Sequence, residues 1–149
     1  MKWRDNMTVW ISASLLMGAT SLVQAEGLLE LTAGIHLIQA EVANTYDTRT
    51  EGLMSRKSMP TNHGMLFVFD QTAQHCMWMR NTLIPLSVAF LDGQGRIINV
   101  EEMQPQTDDN HCASQPARFA LEMNAAWFKN RGFGAGTLLK GIDKAPAAR

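Results

Sequence analysis

The sequence predicts a mainly β (α+β) fold, a compact antiparallel β-sandwich or barrel with two short helices. Three observations predict it. Apolar runs of strand length recur along the chain, about five to seven of them. Turn-forming residues separate them at hairpin spacing, as in Asp92-Gly93-Gln94-Gly95. Helical patterning is confined to two short stretches, so a sheet must carry the core.

The first residues stand apart from that domain. Lys2 and Arg4 precede an uncharged segment, Asn6 to Ala25, with an apolar middle and a Val23-Gln24-Ala25 end. That is the layout of a secretory signal peptide cleaved after Ala25. Ser12, Ser14, Gly18, Thr20, Ser21 and Gln24 interrupt the apolar run, which falls short of the roughly 20 residues of a membrane-spanning helix. Residues 26–149 then form a single domain, periplasmic or secreted, with no membrane span once the leader is removed. The chain carries a net charge of −1 and no basic run, which argues against nucleic-acid partners.

Leu28, Leu29 and Leu31 can open the sheet, and Ile35–Ala43 reads as a half-exposed strand. Asn44 to Asp47 breaks it. Thr48 and Glu51 fit a capping box, which predicts a helix of about two turns ending near Arg56. Lys57 to His63 is a loop, and Gly64–Phe69 is apolar throughout, as in a strand buried on both faces. After a turn at Asp70–Gln74 the chain is extended from Cys76 to about Arg80. Leu86–Leu91 and Arg96–Met103 form a hairpin, with Pro85 confined to its start. Gln104–Pro116 is a polar loop. Ala117–Met123 is a strand, Asn124 caps a short helix over Ala125–Arg131 stopped by Gly132, and Thr137–Leu139 closes the sheet. The tail, Lys144 to Arg149, is expected to be disordered.

The chain after the leader holds two cysteines, Cys76 and Cys112. In an exported protein an even count reads first as a disulfide. Closing that loop would contribute ~3–4 kcal/mol. Free thiols are one competing reading; each cysteine also follows a histidine, His75 and His111, so a zinc site is another. Neighbours on a strand point to opposite faces, which hinders such chelation.

Four motifs in order resemble those of the domain-of-unknown-function 192 family. They are Glu51-Gly52-Leu53-Met54-Ser55-Arg56, Gly64-Met65-Leu66-Phe67-Val68-Phe69, Trp78-Met79-Arg80-Asn81-Thr82-Leu83-Ile84-Pro85-Leu86 and Leu121-Glu122-Met123. The resemblance covers about residues 37–141. It implies a compact β-rich domain, often exported, and assigns no reaction. Arg80, Ser87, Ala126 and Thr137 stand where that family usually has Lys, Asp, Gly and often Asp. The cysteine pair is not general to the family.

No catalytic constellation stands out. Ser55, Ser58, Ser87 and Ser114 lack the surroundings of a nucleophile elbow. Glu101-Glu102 would be splayed by a strand, and Asp108-Asp109 sits in a solvated loop. No cofactor or metal is called for. The expected site is polar: Arg56, Arg80, Asn81 and Thr82, with Trp78 beside them, a set able to hold a small anionic or sugar ligand. The competing reading is structural, with Asn81 closing a turn and Arg80 paired with Glu51 or Glu122. The functional expectation is an exported ligand-binding or accessory module with a small-molecule or protein partner in the periplasm. Two alternatives are Cu(I) binding by His75, Met77 and Met79, and an enzyme acting on a small anionic or sugar substrate.

Overall fold

The computed structural model describes residues 27–149. The predicted leader, 1–25, lies outside the described residues. Nine strands form a seven-stranded curled sheet and a two-stranded ribbon. In chain order the strands are β1 (Leu29–Ala33), β2 (His36–Ala43), β3 (His63–Ala73), β4 (Cys76–Met77), β5 (Leu86–Leu91), β6 (Ile97–Met103), β7 (His111–Cys112), β8 (Ala117–Asn124) and β9 (Leu139–Lys140). The large sheet runs β6-β5-β8-β3-β2-β1-β9, and β4 pairs with β7 outside it.

The mainly β expectation matches this sheet, with one parallel exception. β2 and β3 pair parallel, from Gln39 opposite His63 to Ala43 opposite Phe67. A parallel pair cannot be joined by a hairpin and needs a crossover. Helix α1 (Tyr46–Glu51) lies in that crossover.

α1 differs from its expected span. Its N-cap is Thr45, whose side chain accepts from the Thr48 backbone N–H while the Thr48 side chain bonds the Thr45 backbone. The capping box is therefore Thr45–Thr48, one turn earlier than Thr48–Glu51 suggests. The helix stops at Gly52, which has φ of 51° and lies where a Cβ would come 3.2 Å from the Phe67 ring. Gly52 thus ends the helix and lets the chain press against β3. The second expected helix shrinks to a turn and a single 3-10 turn at Lys129–Arg131, ended by Gly132. A second 3-10 turn spans Ile142–Lys144. Extended structure after Cys76 is shorter than expected, because β4 ends at Met77. The polar loop is not wholly irregular, since β7 gives it a strand pair.

Both faces of the sheet are covered. One face holds Leu31, Ile38, Leu66, Val68, Leu91 and Leu121, closed over by Trp127, Phe128 and Ile142. The other holds Phe67, Phe69, Val88, Phe90 and Ala120, covered by Leu53 and Met79. This explains the apolar runs within β3, β5 and β8, such as Met65–Phe69 and Val88–Leu91, which have apolar neighbours above and below. Gly64 permits the β3–β8 approach, since a Cβ there would lie 2.4 Å from the Glu122 carbonyl oxygen. The tail folds back: Asn44 Nδ2 donates to the Ala147 carbonyl at 2.9 Å and the Arg149 N–H donates to the Asn44 carbonyl at 2.8 Å.

Cys76 and Cys112 are disulfide-bonded and stand directly opposite in the β4–β7 ribbon. The bond therefore fastens a two-residue ribbon to the polar loop. Among the described residues no cysteine is free, and no helix is long and apolar enough to cross a membrane.

Candidate functional site

The second face of the sheet is not fully filled. A cavity of about 420 Å³ lies between α1, β3, β4 and β8, a size in the range of small-molecule sites. Strand alternation builds its floor. On β3, Phe67 and Phe69 point to this face. On β8, Ala120 and Glu122 point the same way, and Glu122 lies between Met65 of β3 and Val88 of β5. Its walls come from Tyr46, Leu53 and Met54 on one side and Met77 and Trp78 on the other.

Glu122 is the singular group. It is 3% exposed, lines the cavity, and its carboxyl has no hydrogen bond or ion pair with any described residue. Burial alone pushes its pKa up to about 8, because no neighbouring charge offsets the cost of leaving water. The carboxyl is thus predominantly protonated at neutral pH. The nearest lining charges are on α1 and do not reach it. Arg49 donates to the Val68 carbonyl at 3.1 Å and to Asp70 at 3.2 Å, and Glu51 is exposed at the mouth. Thr82 adds a buried hydroxyl, which donates to the Arg80 carbonyl at 3.3 Å.

The five residues expected to bind a ligand are divided by the structure. Trp78 and Thr82 line the cavity. Arg56 lines a neighbouring hollow of about 240 Å³, where its guanidinium makes a two-pronged pair with Glu41 at 2.5 and 2.6 Å. Arg80 lies outside the cavity. It stacks over Trp78 at 4.1 Å and donates from Nε to Asp108 at 2.9 Å. The expected pairing of Arg80 with Glu51 or Glu122 is therefore replaced by Asp108, which the polar loop brings within reach. Asn81 is exposed in a left-handed turn with φ of 55°, and its carbonyl accepts from the Ser55 N–H at 2.9 Å.

Two of the three copper candidates are engaged elsewhere, while Met77 lines the cavity. Met79 is wholly enclosed in the second core. The His75 ring stacks on Phe69 at 3.7 Å, with Nε2 hydrogen-bonded to the Gln71 carbonyl at 2.9 Å. Among the described residues no three His, Cys, Asp or Glu side chains cluster as metal ligands would.

Sequence reasoning passed over Glu122 as a site residue. The signal was present: one carboxylate inside the otherwise apolar run Phe119–Met123. Charged groups are rarely buried without a partner, so that position marks a constraint other than packing.

A protein from Sinorhizobium meliloti 1021, described as a candidate transcription regulator, has a solved structure with a TM-score of 0.70 and 32% identity, covering 75% of this chain and 90% of its own. A protein of unknown function from Novosphingobium aromaticivorans DSM 12444 gives a TM-score of 0.74 at 27% identity, covering 82% of this chain and 91% of its own. Among curated proteins none matches at a significant level. The model of the DUF192 family, described as an uncharacterized ACR, matches residues 28–141. With the motifs and the matched span in agreement, the chain belongs to the DUF192 family.

Proposed function

We propose that this protein is an exported, periplasmic module that binds a small molecule in the cavity above Glu122. One observation carries the reading: a buried carboxyl, without a partner in the fold, opens onto a cavity of ligand size. Holding such a group out of bulk water with no protein partner is costly, by up to about 1–3 kcal/mol. A ligand that bonds to it recovers that cost, which is how a binding site differs from a packing defect. The leader-like segment at 1–25 and the Cys76–Cys112 disulfide support export. The transcription-regulator description of the Sinorhizobium relative is not carried over, because a net charge of −1 without a basic run suits DNA poorly.

The test is a fragment screen by two-dimensional amide NMR on the purified protein. Bound fragments are expected to shift Glu122, Phe67 and Trp78 together and to lose affinity in Glu122→Gln. Hits confined to other surfaces would overturn the reading. A substrate turned over by wild type and not by Glu122→Gln would replace binding by catalysis, since a carboxyl titrating near neutrality can act as a general acid or base. Mass spectrometry of the exported protein checks the leader, with a mature N-terminus at Glu26 expected.

A further inference from the structure

Granting that the cavity binds a ligand, we propose that the ligand is an organic cation: a primary ammonium group on an apolar body, with the nitrogen against Glu122. The inference deepens the binding reading and rests on it.

The argument begins with what surrounds the carboxyl. A buried carboxyl can meet a ligand in two ways. As the neutral acid it donates a proton to an acceptor; as the carboxylate it pairs with a cation. The walls decide between them. Phe67 and Phe69 form the floor beside Glu122, and Trp78 and Tyr46 stand nearer the mouth. Aromatic faces carry negative potential and favour cations over anions. The one exposed charge at the mouth, Glu51, has the same sign preference. The cation on the cavity wall, Arg49, donates to the Val68 carbonyl and pairs with Asp70, so its charge is already offset there.

The remaining lining residues carry no charge; outside the lining, Arg80 covers one face of Trp78 and the His75 ring one face of Phe69, which leaves Phe67, Tyr46 and the other faces to the ligand. β3 contributes phenyl rings, β4 contributes Met77 and the oxidised Cys76, and the turn after β4 contributes Trp78 and the Thr82 hydroxyl. Glu122 is thus the buried charge-bearing group of the lining, facing rings and aliphatic chains, with Arg49, Thr50 and Glu51 of α1 toward the mouth and the Thr82 hydroxyl beside the ribbon. An ammonium supplies both missing parts: N–H donors for the carboxylate oxygens and a positive charge for the ring faces. The apolar body replaces water against Phe67, Phe69 and Leu53.

Proton balance fixes the pH signature. The free carboxyl holds a proton up to about pH 8. Pairing with an ammonium requires the carboxylate, so one proton leaves Glu122 for solvent on binding. Affinity should therefore rise about tenfold per pH unit as pH climbs toward 8, then level until the amine itself loses its charge.

Three probes of one shape test this: benzylamine, benzyl alcohol and benzoate, titrated into the purified protein by calorimetry and amide NMR. Benzylamine is expected to bind roughly tenfold or more tighter than the alcohol at pH 8, with benzoate weakest. Between pH 6 and 7.5 its affinity should increase by more than tenfold, with about one proton released per amine bound. In Glu122→Gln the amine preference and the proton release should both vanish. If that variant does not fold, the wild-type pH profile and proton count still decide. Equal or tighter binding of alcohol or benzoate, or amine affinity independent of pH, would overturn the cation inference while leaving a binding cavity in place. Failure of all three probes to shift any cavity residue would overturn the binding reading itself.

Discussion

The guanidinium of Arg80 lies 4.1 Å over the Trp78 ring while its Nε donates to Asp108 at 2.9 Å. Two bonds thus hold a residue that a ligand would otherwise use, and both are on the surface. The Arg80 and Asp108 side chains are 50% and 68% exposed, so water screens the ion pair. Arg80→Ala should therefore lower stability by at most about 1 kcal/mol. The exposed Trp78 ring should gain solvent contact, read as a red shift in emission. Binding of cavity ligands should change less than threefold. A loss of binding as large as that of Glu122→Gln would return Arg80 to the site.

Cys76 and Cys112 close a loop of 36 residues that contains the β5–β6 hairpin. Cross-linking a loop of that length should contribute about 4 kcal/mol, chiefly by restricting the unfolded chain. The ribbon it fastens is only two residues per strand, too short to hold by pairing alone. Reduction, or Cys76→Ser, should lower Tm by roughly 10 °C or more. It should also weaken cavity binding, because Met77 and Trp78 on that ribbon and its continuation form one wall. Calorimetric melting with and without reductant checks the first effect, and probe titration the second. Unchanged melting would show that the loop is held by other contacts.

Glu122 should make stability fall with pH. Its folded pKa, about 8, lies above the ordinary 4.5, so the folded state keeps a proton that the unfolded state loses. The stabilisation from that proton is full below about pH 4.5 and is lost progressively as pH rises to about 8. The total is on the order of a few kcal/mol. Glu122→Gln removes this titration while keeping the shape. Denaturant midpoints of wild type and variant should diverge between pH 5 and 8, the variant gaining as pH rises. Parallel curves would mean that the carboxyl is solvated or paired.

Much of the sheet was legible because its signals are local. Leu86–Leu91 is buried on both faces, and the following turn is built by Asp92, whose Oδ1 accepts from the Gln94 and Arg96 N–H groups at 2.9 Å each. The start of α1 was misread because two threonine-led capping patterns overlap. The choice between them depends on Gly52 meeting Phe67, a contact made only after β3 has docked. The parallel β2–β3 pair is equally non-local. The site was half legible for a related reason. Trp78 and Thr82 lie in a polar interruption that draws attention in sequence. Glu122 matters through what fails to face it, and the lack of a partner appears only when every neighbouring strand is in place.

Ser87 bears on the places where this chain departs from its family. Its hydroxyl donates to Glu102 Oε1 at 2.6 Å, and the Ala126 N–H donates to both Ser87 Oγ at 2.8 Å and Glu102 Oε2 at 3.0 Å. The three groups pin the turn after β8 to the β5–β6 hairpin. Ser87 is wholly buried, so Ser87→Ala leaves one Glu102 oxygen short of a donor. A loss of about 1–2 kcal/mol is expected in urea unfolding, with ligand binding at Glu122 unchanged. A neutral effect would mean that water replaces the hydroxyl.

Ala126 itself sits at φ of 61°, in the left-handed region that its Cβ disfavours. For an L-residue that conformation costs roughly 1–2 kcal/mol, and glycine removes the steric part while adding unfolded-state entropy. Glycine also leaves the N–H in place, so both bonds to Ser87 and Glu102 survive. Ala126→Gly should therefore stabilise the protein by up to about 1 kcal/mol, raising Tm by a few degrees. The control is Ala126→Val, whose branched side chain suits positive φ less well and should destabilise. If glycine destabilises as much as valine, the methyl group of Ala126 contributes packing that outweighs the backbone strain.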